Sequence, residues 1–207
     1  MIKINNLKKL YGERTVLDIP LLEIKSGECV VLTGHNGSGK STLLKILAGT
    51  VKENEGKAIS EGKIYYLPQQ SIPFNKSVKA NILFCLDGKR KIKRELCDDV
   101  LNAFELKQFE NKSAKTLSGG ECQRLALARV LCRKGDIILL DEPSSAADNK
   151  GRALINELIK QYCEKTGCTL IMTTHTGEFP KISNLRIIEL CDGKIKKDSM
   201  TGEINDA

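Results

Sequence analysis

No stretch of the chain approaches the roughly 20 consecutive apolar residues that cross a bilayer, so any membrane role is expected to run through a partner. Histidine is scarce, with only His35 and His175. None of the eight cysteines (29, 85, 97, 122, 132, 163, 168 and 191) forms a C-x-x-C pair. Without that ligand spacing a zinc site is not expected. The cysteine count is even, but the chain is large and lacks a signal peptide. A reducing cytoplasm is therefore expected rather than a disulfide framework. Cys29, Cys85 and Cys132 fall in apolar runs, where a buried thiol is the ordinary reading. Acids are outnumbered, 26 Asp and Glu against 33 Lys and Arg, for a net charge of +7, and Lys89, Arg90, Lys91, Lys93 and Arg94 crowd one stretch. A basic excess suits a nucleotide, nucleic acid or an anionic membrane surface and selects none of them; the crowded stretch reads most simply as a solvated face. With 207 residues, 41% hydrophobic, the chain can build one large domain, with or without a subdomain.

What is present is concentrated in residues 29 to 42. Cys29 to Thr33 is a short apolar run with the look of a buried strand. Gly34-x-x-x-x-Gly39-Lys40-Ser41 follows, and then Leu43, Leu44, Ile46 and Leu47 at helical spacing. Strand, glycine loop and helix are the context this motif needs. Glycines let the backbone point several N–H groups at one phosphate, and the helix adds its free amides and positive dipole end. Lys40 places a cation on the outer phosphates, and the Ser41 hydroxyl can ligate magnesium.

Upstream, Ile2 to Leu10 alternates, Tyr11-Gly12 turns, and Val16 to Ile24 reads as further strand. These closely spaced strands predict a small antiparallel sheet beside the nucleotide core. Tyr11 is either a stacking ring or a strand-end tyrosine. Residues 50 to 62 are expected to form a loop or short hairpin, and Lys63 to Leu67 a strand stopped by Pro68. Gln69 follows that strand and can ligate magnesium, place a water or simply line a loop. Residues 77 to 110 have helical periodicity broken at Asp87-Gly88, which predicts an inserted helical subdomain.

Ser118 and Glu121 have capping-box spacing, so a helix starts there. Gly119 and Gly120 in its first turn are unfavourable for a helix and make sense if an anion must approach closely. Asp136 to Leu140 reads as a buried strand ending in Asp141-Glu142. Two carboxylates at the carboxyl end of such a strand point to a ligand, with Asp141 holding magnesium and Glu142 accepting a proton from water. Ala153 to Tyr162 reads as an amphipathic helix. Thr169 to Thr173 is a third buried strand and ends at Thr174-His175. Arg186 to Leu190, Asp192-Gly193 and Lys194 to Lys196 read as a hairpin, followed by a polar tail.

Taken together, these pieces resemble the nucleotide-binding subunit of an ABC (ATP-binding cassette) transporter over nearly the whole chain, Tyr11 to about Gly193. Gly34, His35, Asn36, Gly37, Ser38, Gly39, Lys40, Ser41 and Thr42 are similar to its Walker A loop. Gln69 matches the Q-loop, although Gln70 is adjacent, and Leu117 to Arg124 resembles the family signature. Asp136 to Glu142 resembles Walker B, Ser144 to Asp148 the D-loop and His175 the switch histidine. His35 stands where the family usually has proline, and Ala147 where it has leucine.

The resemblance implies an α/β fold: a P-loop NTPase core with a mostly parallel sheet, an N-terminal antiparallel β-subdomain and a helical subdomain of about 72–132, all in one ABC ATPase domain spanning 1–207. It implies Mg-dependent ATP hydrolysis, with Glu142, His175 and Gln69 catalytic, Tyr11 stacked on adenine, and Ser41, Gln69 and Asp141 at Mg2+. Ser118, Gly119, Gly120 and Glu121 would close on the ATP of a second cassette, with Asp148 in the D-loop. The implied partners are that second cassette in a homodimer, an integral-membrane permease docking on residues 72 to 96 through Phe74 and Val78, and a solute-binding protein. No nucleic-acid partner is expected. The implied location is the cytoplasmic face of the cell membrane, peripherally bound. Ser77 to Ile82 and Ser113 to Leu117 are similar to tungstate- and molybdate-type oxyanion importers. The rival reading is a soluble ABC ATPase acting on ribosomes or DNA, whose members usually carry paired cassettes or long coiled-coil insertions absent here. A non-catalytic regulator fits less well, because every catalytic position is filled.

Overall fold

The computed structural model describes residues 1–175 and 177–200; Thr176 and the polar tail from 201 lie outside them. The chain forms two compact units, one of Met1–Tyr66, Gly135–Glu142 and residues from Thr166 on, the other of Leu67–Lys134 and Pro143–Lys165.

The first unit is built on two sheets. β1 (Ile2–Tyr11) lies between β2 (Arg14–Ile24) and β4 (Glu55–Ser60), antiparallel to both. β1 buries Ile2, Ile4 and Leu7, its alternation interrupted at Asn6, which has a φ of 49°, and β2 buries Leu17, Ile19, Leu22 and Ile24. The 50 to 62 segment, expected as a loop or hairpin, thus supplies a third strand. β4 is an edge strand whose side chains stay largely in solvent, so it carries no apolar alternation. Gly56 is required there, because a Cβ would come within 2.1 Å of the Asn6 carbonyl oxygen.

The second sheet has the order β5-β6-β7-β3-β8-β9. β3 (Cys29–Thr33), β6 (Ile137–Asp141) and β7 (Thr169–Thr173) are continuous buried runs, as central parallel strands require. They run parallel to each other and to β8 (Arg186–Cys191), while β9 (Lys194–Asp198) returns antiparallel. β6 ends one residue later than the sequence suggests, so Asp141 belongs to the strand. β5 (Ile64–Leu67) closes the other edge. Helix α1 (Lys40–Leu47) buries Leu43, Leu44, Ile46 and Leu47 in the core shared by both sheets.

The second unit is helical. α2 (Val78–Cys85) and α3 (Arg90–Ala103) are separated at Asp87-Gly88, where Gly88 takes a φ of 109°. Two 3-10 turns then lead into α4 (Gly119–Leu131). Buried Asn81 fastens the loop before α2: its Oδ1 accepts from the Phe74 amide at 2.9 Å, and its Nδ2 donates to the Phe74 and Ser77 carbonyls. Helix α5 (Asn149–Thr166) starts four residues before the expected Ala153, because Asp148 caps it by accepting from the Gly151 amide at 2.8 Å.

Candidate functional site

Parallel order places the carboxyl ends of β3, β6 and β7 side by side, with Thr173 in register with both Asp141 and Leu32. The site is assembled at that edge.

The loop from Gly34 to Gly39 leaves β3 and enters α1. Gly34 has a φ of 134°, and a Cβ there would sit 2.1 Å from the Leu190 carbonyl oxygen; Gly39 has a φ of 105° and lies against Val16 and Leu17. Neither position admits another residue. Lys40 is folded back over its own loop, donating to the carbonyls of Gly34 at 2.7 Å and His35 at 2.9 Å. Burial lowers its pKa, with the charges of Glu142 and Asp141 opposing. The Ser38 hydroxyl oxygen is buried in the loop with no hydrogen-bond partner, as expected of a cradle built for an anion. Asn36 and Gly37 are exposed at the loop's tip, and Thr42 is half-buried in α1.

Asp141 is 2% exposed and its carboxylate is heavily used. Oδ1 accepts from Ser41 at 2.9 Å and Thr173 at 2.8 Å, and Oδ2 accepts a longer bond from the Tyr66 hydroxyl. Burial, then the Asp141 charge, pushes the Tyr66 phenol up, so it stays a donor at neutral pH. The Thr173 hydroxyl also accepts from the Glu142 amide at 2.9 Å. That fixes Glu142 in a left-handed conformation, with a φ of 50°. Its carboxylate meets His175 Nδ1 at 3.1 Å. Lysine, serine, two carboxylates and a histidine from three strand ends thus converge. Ser41 and Asp141 offer adjacent hard oxygen donors, the set that suits Mg2+. Tyr11 lies at the end of β1, 51% exposed, with Lys9 Nζ 5.2 Å from its ring centroid.

Other expected site residues belong to the helical unit. Gln69 lies two residues past β5. Ser118 caps α4 by accepting from the Glu121 amide, and the Glu121 carboxylate accepts from the Ser118 amide at 2.8 Å. Gln123 ties the Ser144 to Asp148 loop to α4, donating to Ser145 Oγ at 3.2 Å and accepting from the Ala146 amide at 3.0 Å. Thr173, Tyr66 and Gln123 received no individual role from the sequence. The one available signal was their position at strand ends and beside motifs.

A family model described as ABC transporter matches residues 17–145. The aliphatic sulfonates import ATP-binding protein SsuB 1 of Streptomyces avermitilis is 34% identical over 196 residues, covering 94% of this chain and 74% of that protein. A probable metal transport system ATP-binding protein of Thermotoga maritima is 37% identical over 179 residues, covering 84% of this chain and 75% of that protein. Among solved structures, a dimeric, post-hydrolysis state of the ATP-binding cassette MJ0796 with ADP and Pi superposes with a TM-score of 0.82 at 32% identity, covering 96% of this chain and 98% of that one. The motif order, the strand-end site and these relatives agree, and the chain belongs to the ABC transporter family as one of its ATP-hydrolysing cassettes.

Proposed function

We propose that this cassette energises a membrane transporter by binding ATP between two copies of itself and hydrolysing it, with the permease supplied by a separate chain. The convergence of Lys40, Ser41, Asp141, Glu142 and His175 carries the reading. Lys40 exchanges its two loop carbonyls for phosphate oxygens when ATP enters, and the loop amides wrap the same group. Ser41 and Asp141 would hold Mg2+, which would supply charge neutralisation on the phosphates. A water oxygen attacks the γ-phosphorus, the bond to the ADP oxygen breaks, and the water proton passes to Glu142. His175 orients that carboxylate and contacts the γ-phosphate. Tyr11 is the ring available for adenine.

Gly119 and Gly120 support closure by a second copy. A Cβ on Gly119 would meet nothing of this chain nearer than 3.6 Å, and one on Gly120 nothing nearer than 3.5 Å. Neither has a positive φ. Their own fold does not require glycine, which supports the close approach of an incoming ligand as their role.

The permease surface needs one correction. Val78 is fully buried and cannot serve as a contact; Ile72, Phe74 and Phe84 are exposed instead, at 84%, 37% and 66%. Phe74 and Phe84 pack edge to face, and the Arg129 guanidinium lies over the Phe74 ring. Attachment there would hold the protein peripherally on the cytoplasmic face of the membrane. Among the described residues no helix is long and apolar enough to cross a membrane. The cargo is set by the permease; relatives are named for sulfonates, spermidine/putrescine and zinc, and none of these names points to the tungstate or molybdate class.

The deciding experiment pairs Glu142→Gln with wild type. The variant is expected to bind ATP, run as an ATP-dependent dimer in size-exclusion chromatography, and hydrolyse at least about 100-fold more slowly. Unchanged turnover removes Glu142 from the mechanism. A pull-down from native membranes that yields ribosomes and no polytopic protein removes the transporter reading and leaves the ATPase.

A further inference from the structure

The two-residue turn of the β8–β9 hairpin lies beside the phosphate loop. The Gly193 amide donates to the Ser38 carbonyl at 3.1 Å, its carbonyl accepts from the Asp18 amide at 2.9 Å, and the Leu190 carbonyl occupies the space a Gly34 side chain would need. This clamp brings His35 of the loop to Cys191 at the end of β8 and Asp192 of the turn, about 156 residues away in sequence. His35 Nε2 lies 3.4 Å from Asp192 Oδ1 and 4.0 Å from Cys191 Sγ, and Cys191 Sγ lies 3.7 Å from Asp192 Oδ2. One ligand atom from each falls within 4.8 Å of the others. Ligands from segments 156 residues apart leave no C-x-x-C spacing in the sequence.

We propose that His35, Cys191 and Asp192 form a site for a thiophilic divalent cation of the zinc class, with its fourth position open to solvent. Tetrahedral zinc with ordinary Zn–S, Zn–N and Zn–O bonds sets its ligand atoms about 3.4–3.6 Å apart; the three ligand atoms here lie within 4.8 Å of one another, so side-chain rotation at the exposed Asp192 and His35 is what draws them in around an ion. His35 Nδ1 lies 2.9 Å from the Asn36 carbonyl oxygen, which can only accept; the tautomer that donates there from Nδ1–H leaves the Nε2 lone pair facing the other two ligands. That outer hydrogen bond is the usual support of a metal-binding imidazole. One imidazole, one thiolate and one carboxylate suit zinc, or Co2+ as its probe, and disfavour Mg2+, which demands oxygen. The side chains of His35 and Asp192 are 52% and 81% exposed, so an ion can enter. Bound there, it would pin the second residue of the phosphate loop to the hairpin.

The test titrates the whole chain with Co2+ in a phosphine-reduced buffer containing excess Mg2+. Wild type is expected to show a sulfur-to-cobalt charge-transfer band with tetrahedral visible bands at stoichiometric Co2+, and Zn2+ to displace it. Cys191→Ser is expected to abolish the charge-transfer band. Asp192→Asn, a change at an exposed side chain, is expected to weaken Co2+ binding by at least about tenfold. Absence of the band in wild type overturns the site. So does an undiminished band in Cys191→Ser, which would place the sulfur elsewhere, with Cys122 and Cys132 the other partly exposed thiols.

Discussion

Asp141 Oδ1 accepts from two hydroxyls, one on the phosphate loop's helix and one on the neighbouring strand, and the second of these also holds the Glu142 amide. Thr173 therefore positions both acids. Replacing it by valine keeps the shape and removes a hydrogen bond to a buried charge, at about 1.5–3 kcal/mol of stability. Thr173→Val is expected to lower kcat for ATP hydrolysis more than it raises KM, since the loop amides and Lys40 remain. Steady-state kinetics with an unaltered kcat would show that Glu142 needs no such support. Lys40, Ser41 and Glu142 were legible in the sequence because their motifs are local. Thr173 was not, because its role comes from strand pairing with Asp141 across 32 residues. Residues gathered by parallel strands leave no spacing to read.

The same limit governs the elements. Central strands announce themselves as apolar runs, and α4 announces its start with Ser118 and Glu121. β4 is silent, since an exposed edge strand needs no apolar face. Within α4, Gly119 and Gly120 sit where the capping box already satisfies the helix end. Alanine fits both positions sterically and limits the freedom of the unfolded chain. Gly119→Ala is therefore expected to raise stability by about 0.4–1 kcal/mol while abolishing ATP-driven dimerisation. Urea titration and light scattering with ATP give the two readouts. A variant that is less stable would mean that the glycines serve this chain's own folding.

At the scale of the whole molecule, one buried ion cluster ties distant segments together. Arg186 is held by Asp198 at 2.9 and 2.5 Å, by Glu28 at 2.9 Å and by the Glu23 carbonyl at 2.8 Å. Its pKa is raised, chiefly by the Asp198 hydrogen bond. Burial alone would raise Asp198, but the Arg186 hydrogen bond, the Met200 amide and the Arg186 charge bring it below the usual carboxylate value. A depressed carboxylate contributes stability that is complete above the unfolded pKa and is lost as pH falls through the folded one. Asp198→Asn is expected to cost about 3 kcal/mol at pH 7, because it leaves Arg186 short of charge. The gap from wild type should narrow below about pH 4. Denaturant curves at both pH values check this, and a gap that stays constant with pH would exclude the ion pair as its source.

The exposed apolar side chains of Ile72, Phe74 and Phe84 have a consequence for supply. On the proposed docking of a permease there, a chain made in excess of that partner carries this apolar surface bare, and bare apolar surface drives self-association. Balanced expression of the two chains is then a requirement for solubility as well as for work, and a cell that loses the permease should clear or precipitate the orphaned cassette.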